Sequence, residues 1–88
     1  MAQVHFTSHL RNVAPNEAVQ AGGDTVGAVL ADVFARHPAV KSYILDDQDR
    51  LRTHIAVFVD SVHVRRNILD HPLKTDSEIY ILQALSGG

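Results

Sequence analysis

The chain has 88 residues, of which 45% are hydrophobic, and a formal net charge of −2. This length fits one small domain, and the slight acidic balance supplies no basic excess for neutralising nucleic-acid phosphates, so no nucleic-acid partner is expected. The absence of cysteine excludes disulfides, a catalytic thiol and thiolate metal sites. Neither a membrane-spanning apolar run nor a secretory signal pattern is recognisable, so we expect a cytoplasmic protein without a membrane partner.

The N-terminal part of the chain predicts a β-hairpin. Apolar and polar residues alternate over 3–8, with Val4 and Phe6 on one face, which is typical of a half-buried strand. A loop signal containing proline and asparagine follows. A second, weaker strand is predicted at 17–21, with Val19 as its best core residue.

The segment from about 25 to 37 predicts the one main helix. Its apolar residues have the i, i+3, i+4, i+7, i+8 spacing of an amphipathic helix, at positions 26, 29, 30, 33 and 34. Asp24 or Thr25 can cap its start, and Pro38 cannot continue it. Gly27 weakens the first turn by about 1 kcal/mol relative to alanine. Close packing of Gly27 against a strand is the expected explanation.

Three further strands are predicted in the second half of the chain, at 54–59, 62–64 and 78–82. A short helical turn around 43–45 is expected before them. The segment 65–77 is predicted to be a loop that Ile68 and Leu69 anchor to the core.

This order of elements favours an α+β fold, a mixed sheet of about five strands wrapped around one main helix. The first and last strands are both strongly apolar, so we expect them to pair in parallel at the centre of the sheet. The predicted domain covers 1–83, and a flexible tail, 84–88, follows it and ends in Gly87-Gly88.

Five segments together resemble one known family. These segments are 23–27, 51–60, 62–65, 73–82 and the final Gly87-Gly88. In order and spacing they resemble the MoaD/ThiS group of ubiquitin-like sulfur carriers over nearly the whole chain. The segment 41–52 is more similar to the molybdopterin synthase small subunit branch. The chain departs from the family in Asp60-Ser61, where Asn-Gly is frequent, and in 83–86, which precede the glycines.

The resemblance implies a ubiquitin-like β-grasp fold and a carrier that is not itself an enzyme, although it can be the small subunit of a sulfur-transfer enzyme such as molybdopterin synthase. An adenylating activating enzyme would use ATP on the carboxylate of Gly88, and a sulfur donor would convert the acyl adenylate into a thiocarboxylate. A sulfur-accepting synthase subunit would then take the sulfur. Molybdopterin is the first expected product, while cysteine, thiamine and tRNA thiolation stay open. No cofactor is expected on the chain itself.

The tail has chemical features that suit this role. Its five residues span roughly 16–18 Å when extended. Glycine lacks a Cβ, so Gly87 and Gly88, preceded by Ser86, suit passage through a narrow channel. Two other interpretations stay open: a ubiquitin-like modifier conjugated to lysines through Gly88, and a grasp-fold interaction module with an inert tail.

Outward positions near the tail predict a partner-binding patch. If the valines at 57 and 59 and the isoleucines at 79 and 81 point into the core, then Phe58, Tyr80 and Leu82 point outward. Together with Leu85 they are the predicted docking residues, since exposed apolar patches often mark partner surfaces. In the alternatives, the helix or the segment 39–53 covers some of them, or the faces are reversed.

No metal site is predicted. His5 and His9 would lie roughly 13 Å apart on a strand, too far to share an ion. The acidic loop 46–49 lacks the glycine and the distal glutamate of a calcium loop. Arg65 and Arg66 are expected to be either solvated or part of a contact with an acidic partner.

Overall fold

Five strands and two helices make up the fold in residues 1–6 and 17–83, the part of the chain that the computed structural model describes. The elements, in chain order, are β1 (Ala2–Phe6), β2 (Val19–Ala21), α1 (Val26–Arg36), α2 (Pro38–Ile44), β3 (Ile55–Val59), β4 (Val62–Val64) and β5 (Glu78–Gln83). A 3-10 helix at Ile68–Asp70 lies between β4 and β5. The end of the first predicted strand at 7–8, the loop signal at 11–16 and the tail at 84–88 lie outside the described residues.

The strands form a single mixed sheet in the order β2-β1-β5-β3-β4. β1 and β5 pair in parallel at its centre, and the other three pairings are antiparallel. The predicted hairpin of the first two strands and the parallel pairing of the first and last strands are both confirmed. So is the α+β grasp, in which the sheet wraps around α1.

The core lies between the sheet and the helices. Val4, Val57, Ile79 and Ile81 have no solvent-accessible side-chain surface. The apolar stripe of α1 is buried throughout, at Val26, Val29, Leu30, Val33 and Phe34. The inward faces predicted for the strands are therefore confirmed, and the predicted anchors Ile68 and Leu69 pack against this core.

Thr25 caps the start of α1. Its Oγ1 accepts a hydrogen bond from the backbone N–H of Ala28 at 3.1 Å, which satisfies one of the free donors of the first turn. At the other end, the backbone N–H of His37 donates to the carbonyl of Val33 at 2.8 Å. The helix thus begins and ends one residue inside the predicted bounds.

The second helix, α2, corrects the prediction of a single helical turn around 43–45. Pro38 ends α1 and also begins α2, because the first turn of a helix does not need the N–H that proline lacks. Val40 and Ile44, four residues apart, are buried and attach α2 to the core. In the described part of the chain, no helix is long and apolar enough to cross a membrane.

Gly27 packs closely, but its neighbour is the 3-10 helix and not a strand as predicted. A Cβ on Gly27 would lie 2.9 Å from the carbonyl oxygen of Leu69 and 3.3 Å from its Cβ. The contact brings α1 against the segment that leads into β5. Backbone bonds support the same contact, since the N–H of Val26 donates to the carbonyl of His71 at 3.0 Å.

Replacing Gly27 by alanine is expected to destabilise the protein despite the better helix propensity of alanine. The added methyl group must displace a backbone carbonyl, and such overpacking costs about 1–3 kcal/mol. Gly22→Ala is the matched control, because the nearest neighbour of its Cβ would be the Met1 Cε at 3.9 Å. Urea unfolding of both variants measures the difference, and a Gly27→Ala protein as stable as the parent would contradict the packing argument.

Candidate docking face and tail

A row of four rings crosses the outer face of the sheet, the face opposite to the helices. In the strand register His5 of β1 pairs with Tyr80 of β5, Tyr80 with Phe58 of β3, and Phe58 with His63 of β4. Residues paired across neighbouring strands point to the same face. We call His5, Tyr80, Phe58 and His63 the ring row.

The rings at each end of the ring row are stacked. The centroids of His5 and Tyr80 are 4.3 Å apart with an interplanar angle of 8°. Those of Phe58 and His63 are 4.7 Å apart with an angle of 18°. Stacked cross-strand pairs of this kind stabilise a sheet and restrict the rotamers of their members. The ring row is therefore a pre-ordered flat surface.

The predicted docking residues share one shallow depression on this face. Phe58, Tyr80 and Leu82 line it together with Ser61, and its volume is about 320 Å³. Tyr80 is 42% exposed, whereas Phe58 and Leu82 are half-buried. The predicted outward orientation of the three side chains is confirmed, and the alternatives of reversed faces or a covering helix are wrong. Their role in partner binding stays a prediction.

A larger depression of about 390 Å³ lies on the helical side of the molecule, between α1 and the 3-10 helix. Leu30, Phe34 and Leu69 are among its lining residues. It is separated from the docking residues by the core and the sheet. It is therefore a surface feature separate from the depression at the docking residues.

Two functional candidates that the sequence analysis missed are His5, which was considered there only as a metal ligand, and His63. Their positions on alternating strands place them outward, so the same alternation that identified Phe58 and Tyr80 could have found them. Alternation alone does not show that the four rings lie together. This requires the order of the strands in the sheet.

The two histidines have different electrostatic surroundings. His5 Nε2 lies 2.6 Å from Glu78 Oε1, and the two side chains are 29% and 46% exposed. Among the described residues, no carboxylate forms an ion pair with His63. A positive charge on His5 is thus compensated within the protein, whereas a charge on His63 is not.

A polar cluster holds the start of β5 against the turn between β3 and β4. Ser77, which is almost fully buried, donates through Oγ to the Asp60 carboxylate at 3.1 Å and accepts from the backbone N–H of Lys74 at 2.8 Å. The N–H of Glu78 donates to Asp60 Oδ1 at 2.9 Å. The cluster fixes the register of β5 two residues before Tyr80.

The turn between β3 and β4 shows how Asp60-Ser61 can take the place of the Asn-Gly that is frequent in the family. Asp60 and Ser61 both have left-handed backbone angles, with φ of 49° and 71°. A hairpin turn with two such residues is the type that favours Asn-Gly. Asp tolerates the left-handed region, and here its carboxylate also receives the bonds from β5. Asp60 therefore joins the turn to the strand beside it.

Ser77→Ala is expected to destabilise the protein by about 1–3 kcal/mol, since the buried Ser77 hydroxyl makes two hydrogen bonds, one from the Lys74 N–H and one to Asp60, and both are lost. The exposed Ser42 of α2 is the control, and Ser42→Ala is expected to change the stability by no more than about 0.5 kcal/mol. Chemical denaturation followed by circular dichroism compares the two variants. Equal stabilities would show that the buried hydroxyl contributes nothing.

The acidic loop at 46–49 is organised by its own backbone. The Asp46 carboxylate accepts hydrogen bonds from the N–H groups of Arg50 and Gln48, both at 2.9 Å, and its Oδ2 lies 3.3 Å from Arg50 Nε. The bond from the Arg50 N–H, above all, holds the pKa of Asp46 below its ordinary value. These contacts support the interpretation of a polar loop. No cluster of potential metal ligands occurs in residues 1–6 and 17–83.

The tail follows β5 directly. Leu82 and Gln83 are half-buried, and Gln83 pairs with Ile55 at the beginning of β3. Leu85, Ser86, Gly87 and Gly88, the remaining predicted site residues, lie outside the described residues, as does His9. Arg65 and Arg66 are exposed immediately after β4.

Comparison with known families and structures gives a consistent result. The model of the ThiS family matches residues 4–88. The search of curated proteins found no match. A structure of the Amycolatopsis orientalis BexX/CysO complex contains a chain that is 30% identical, with a TM-score of 0.86 and complete coverage of both chains.

Two further solved structures are similar over nearly their whole length. Small archaeal modifier protein 1 from Methanosarcina acetivorans is 28% identical with a TM-score of 0.87, covering 99% of this chain and 95% of that one. CysO from Mycobacterium tuberculosis, described as an antigen, is 25% identical with a TM-score of 0.85, covering 97% of this chain and 100% of that one.

Proposed function

This chain belongs to the ThiS family, and on that premise we propose that it is a sulfur carrier whose Gly88 carboxylate is converted to a thiocarboxylate. The observation that carries the proposal is the position of β5. The strand that presents Tyr80 and Leu82 on the outer face leads directly into the tail, five residues before Gly88. An enzyme docked on that face is within reach of the terminal residue.

The proposed chemistry takes place in the partner enzymes. The Gly88 carboxylate attacks the α-phosphate of ATP in the activating enzyme, and pyrophosphate leaves. A donated sulfide then attacks the acyl carbon and displaces AMP, which leaves a thiocarboxylate on Gly88. Adenylation is needed because a carboxylate is a poor electrophile until it carries a good leaving group. The carrier contributes the reactive carbonyl and the surface that orients it.

The length of the tail suits an arrangement in which the fold docks on the enzyme and the Gly88 carboxylate enters the enzyme's active site. Residues 84–88 span roughly 16–18 Å when extended, about half the largest dimension of the described fold, 33 Å. Gly87 and Gly88 carry no side chains to widen the channel that receives them. Phe58, Tyr80, Leu82 and Leu85 are the residues that we propose contact the activating enzyme.

We place the sulfur acceptor in molybdopterin synthesis first, on the resemblance of 41–52 to the small subunit branch of molybdopterin synthase. Its partner would then be the sulfur-accepting synthase subunit. The similarity to CysO, which was solved in a complex with BexX, supports a carrier that binds another protein. Sulfur acceptors outside molybdopterin synthesis therefore stay open as alternatives. Assays with candidate acceptor enzymes and the thiocarboxylated chain distinguish these acceptors.

Intact-protein mass spectrometry tests the carrier function. The full chain is incubated with the activating enzyme of its own organism, ATP and a sulfide donor. The expected result is replacement of one oxygen by sulfur, localised to Gly88 by fragmentation. Omission of ATP is the control and is expected to leave the mass unchanged. A chain that stays unmodified with an active enzyme would contradict the proposal.

Protein modification is the second candidate, favoured by the similarity to small archaeal modifier protein 1. In this case an amine of a target lysine displaces AMP and forms an isopeptide bond with Gly88. After trypsin digestion the modified lysine would carry residues 75–88, because Lys74 is the last lysine or arginine before Gly88. Detection of residues 75–88 attached to lysines of cellular proteins, with no thiocarboxylate on the unconjugated chain, would favour the modifier.

A further inference from the structure

We propose that His63 makes docking of the activating enzyme depend on pH, with the neutral imidazole binding and the protonated imidazole weakening the contact. The proposal rests on the proposed function, since it concerns the same outer face. Imidazole is the side chain that changes charge between about pH 5 and pH 8. A histidine within an apolar contact surface can therefore make the affinity of that surface for its partner depend on pH.

The partner surface that fits this face is apolar. The depression beside the ring row is lined by Phe58, Tyr80 and Leu82, with the Ser61 hydroxyl as its polar contribution. The activating enzyme must hold Gly88, which follows Leu82 by six residues, so its contact surface adjoins this depression. A contact that fills the depression covers Phe58 and reaches the edge of His63, which stacks on Phe58 with ring centroids 4.7 Å apart.

A charge on His63 opposes this contact through desolvation. His63 stacks on Phe58 with ring centroids 4.7 Å apart, so an apolar partner that covers this pair also removes water from the imidazole. A protonated imidazole then loses water without gaining a counter-ion, and its attraction to the Phe58 ring offsets only part of that cost. Lower pH therefore weakens docking.

In the part of the chain that the structure describes, no carboxylate forms an ion pair with His63 that would cancel this effect. β4 is an edge strand, and its one neighbour, β3, presents Phe58 opposite His63. On the adjoining turn, Asp60 is engaged by Ser77 and Glu78. Arg65, which is exposed and comes directly after β4, adds positive charge. The carboxylate of Glu78 is two strands away, where it is hydrogen-bonded to His5.

His5 is the internal control for this argument. It occupies the opposite end of the ring row and stacks on Tyr80 as His63 stacks on Phe58. Its partner Glu78 lies 2.6 Å away, so protonation creates an ion pair and no isolated cation. A substitution at His5 should leave most of the pH dependence in place.

Isothermal titration calorimetry with the activating enzyme, without ATP, tests the proposal from about pH 8 to about pH 5.5. The parent chain is expected to bind about tenfold more weakly at the acid end, because a cation at His63 loses its hydration without gaining a counter-ion. His63→Gln should bind with nearly constant affinity, and His63→Arg should bind weakly at every pH. His5→Gln should keep the pH dependence of the parent, whatever its absolute affinity.

Comparison of the variants at each pH cancels the titration of the enzyme itself. If His63→Gln keeps the pH dependence of the parent, His63 is not the controlling group and the inference is overturned. A ratio of the parent affinity to the His63→Gln affinity that increases toward acid pH would overturn it as well, because protonation of His63 would then strengthen the contact. Absence of binding at every pH, together with no adenylation of Gly88, would instead overturn the proposed function.

Discussion

Deletion of Gly88 is expected to abolish sulfur loading while leaving the domain folded. The shortened chain still ends in a carboxylate, now on Gly87, but this group lies about 3.5 Å short of its reactive position. Displacement of a reacting group by as little as 1 Å can lower a rate by about 100-fold, so we expect at least this loss in ATP–pyrophosphate exchange. The core residues all lie between Ala2 and Ile81, so the thermal midpoint should not change.

Ser86→Ala provides the length-matched control for this deletion. It keeps the carboxylate at the same distance from β5 and is expected to stay within a few-fold of the parent chain. Gly88→Ala also keeps the length but adds a Cβ beside the reacting carbonyl, so it measures the steric demand of the channel. Normal activation of the chain without Gly88 would contradict a terminal reactive residue and would favour an interaction module with an inert tail.

Tyr80→Ala is expected to have the second large effect, a loss of about 30-fold in the affinity for the activating enzyme. Tyr80 lies at the centre of the ring row, between His5 and Phe58, and is 42% exposed. Central aromatic residues of this kind carry a large share of the binding free energy in protein interfaces. Truncation removes the ring and also loosens the neighbouring His5.

Tyr43→Ala is the matched control, because the chemical change is the same and Tyr43 is 51% exposed. Tyr43 lies on α2, on the other side of the sheet, so its truncation should not change the affinity. Binding is measured by calorimetry and folding by thermal denaturation, which separates lost contacts from lost stability. Equal affinities for the two variants would place the docking surface elsewhere.

Alternation along the strands was sufficient to predict which side chains are buried and which face outward. The same pattern predicted Phe58 and Tyr80 on the outer face, because side-chain direction in a strand depends only on local geometry. The spacing of apolar residues predicted α1 to within one residue at each end. These are properties that neighbouring residues along the chain determine by themselves.

The second helix and the contact of Gly27 show where local patterns were insufficient. Pro38 is compatible with the end of one helix and with the start of the next, and burial of Val40 and Ile44 in the core decides between them. Gly27 indicated a close approach, but its neighbour Leu69 is far away in the sequence. Contacts of this kind depend on how elements pack together.

The amino-acid sequence by itself determined the class of fold, the inward and outward faces of the strands, and the resemblance to a family of sulfur carriers. Only the tertiary structure decided that His5, Tyr80, Phe58 and His63 form one row, since four residues from four strands meet only after the sheet order β2-β1-β5-β3-β4 is set. It also decided that Glu78 compensates His5 and that Ser77 joins Asp60. These contacts depend on pairings between distant segments, which local periodicity does not specify.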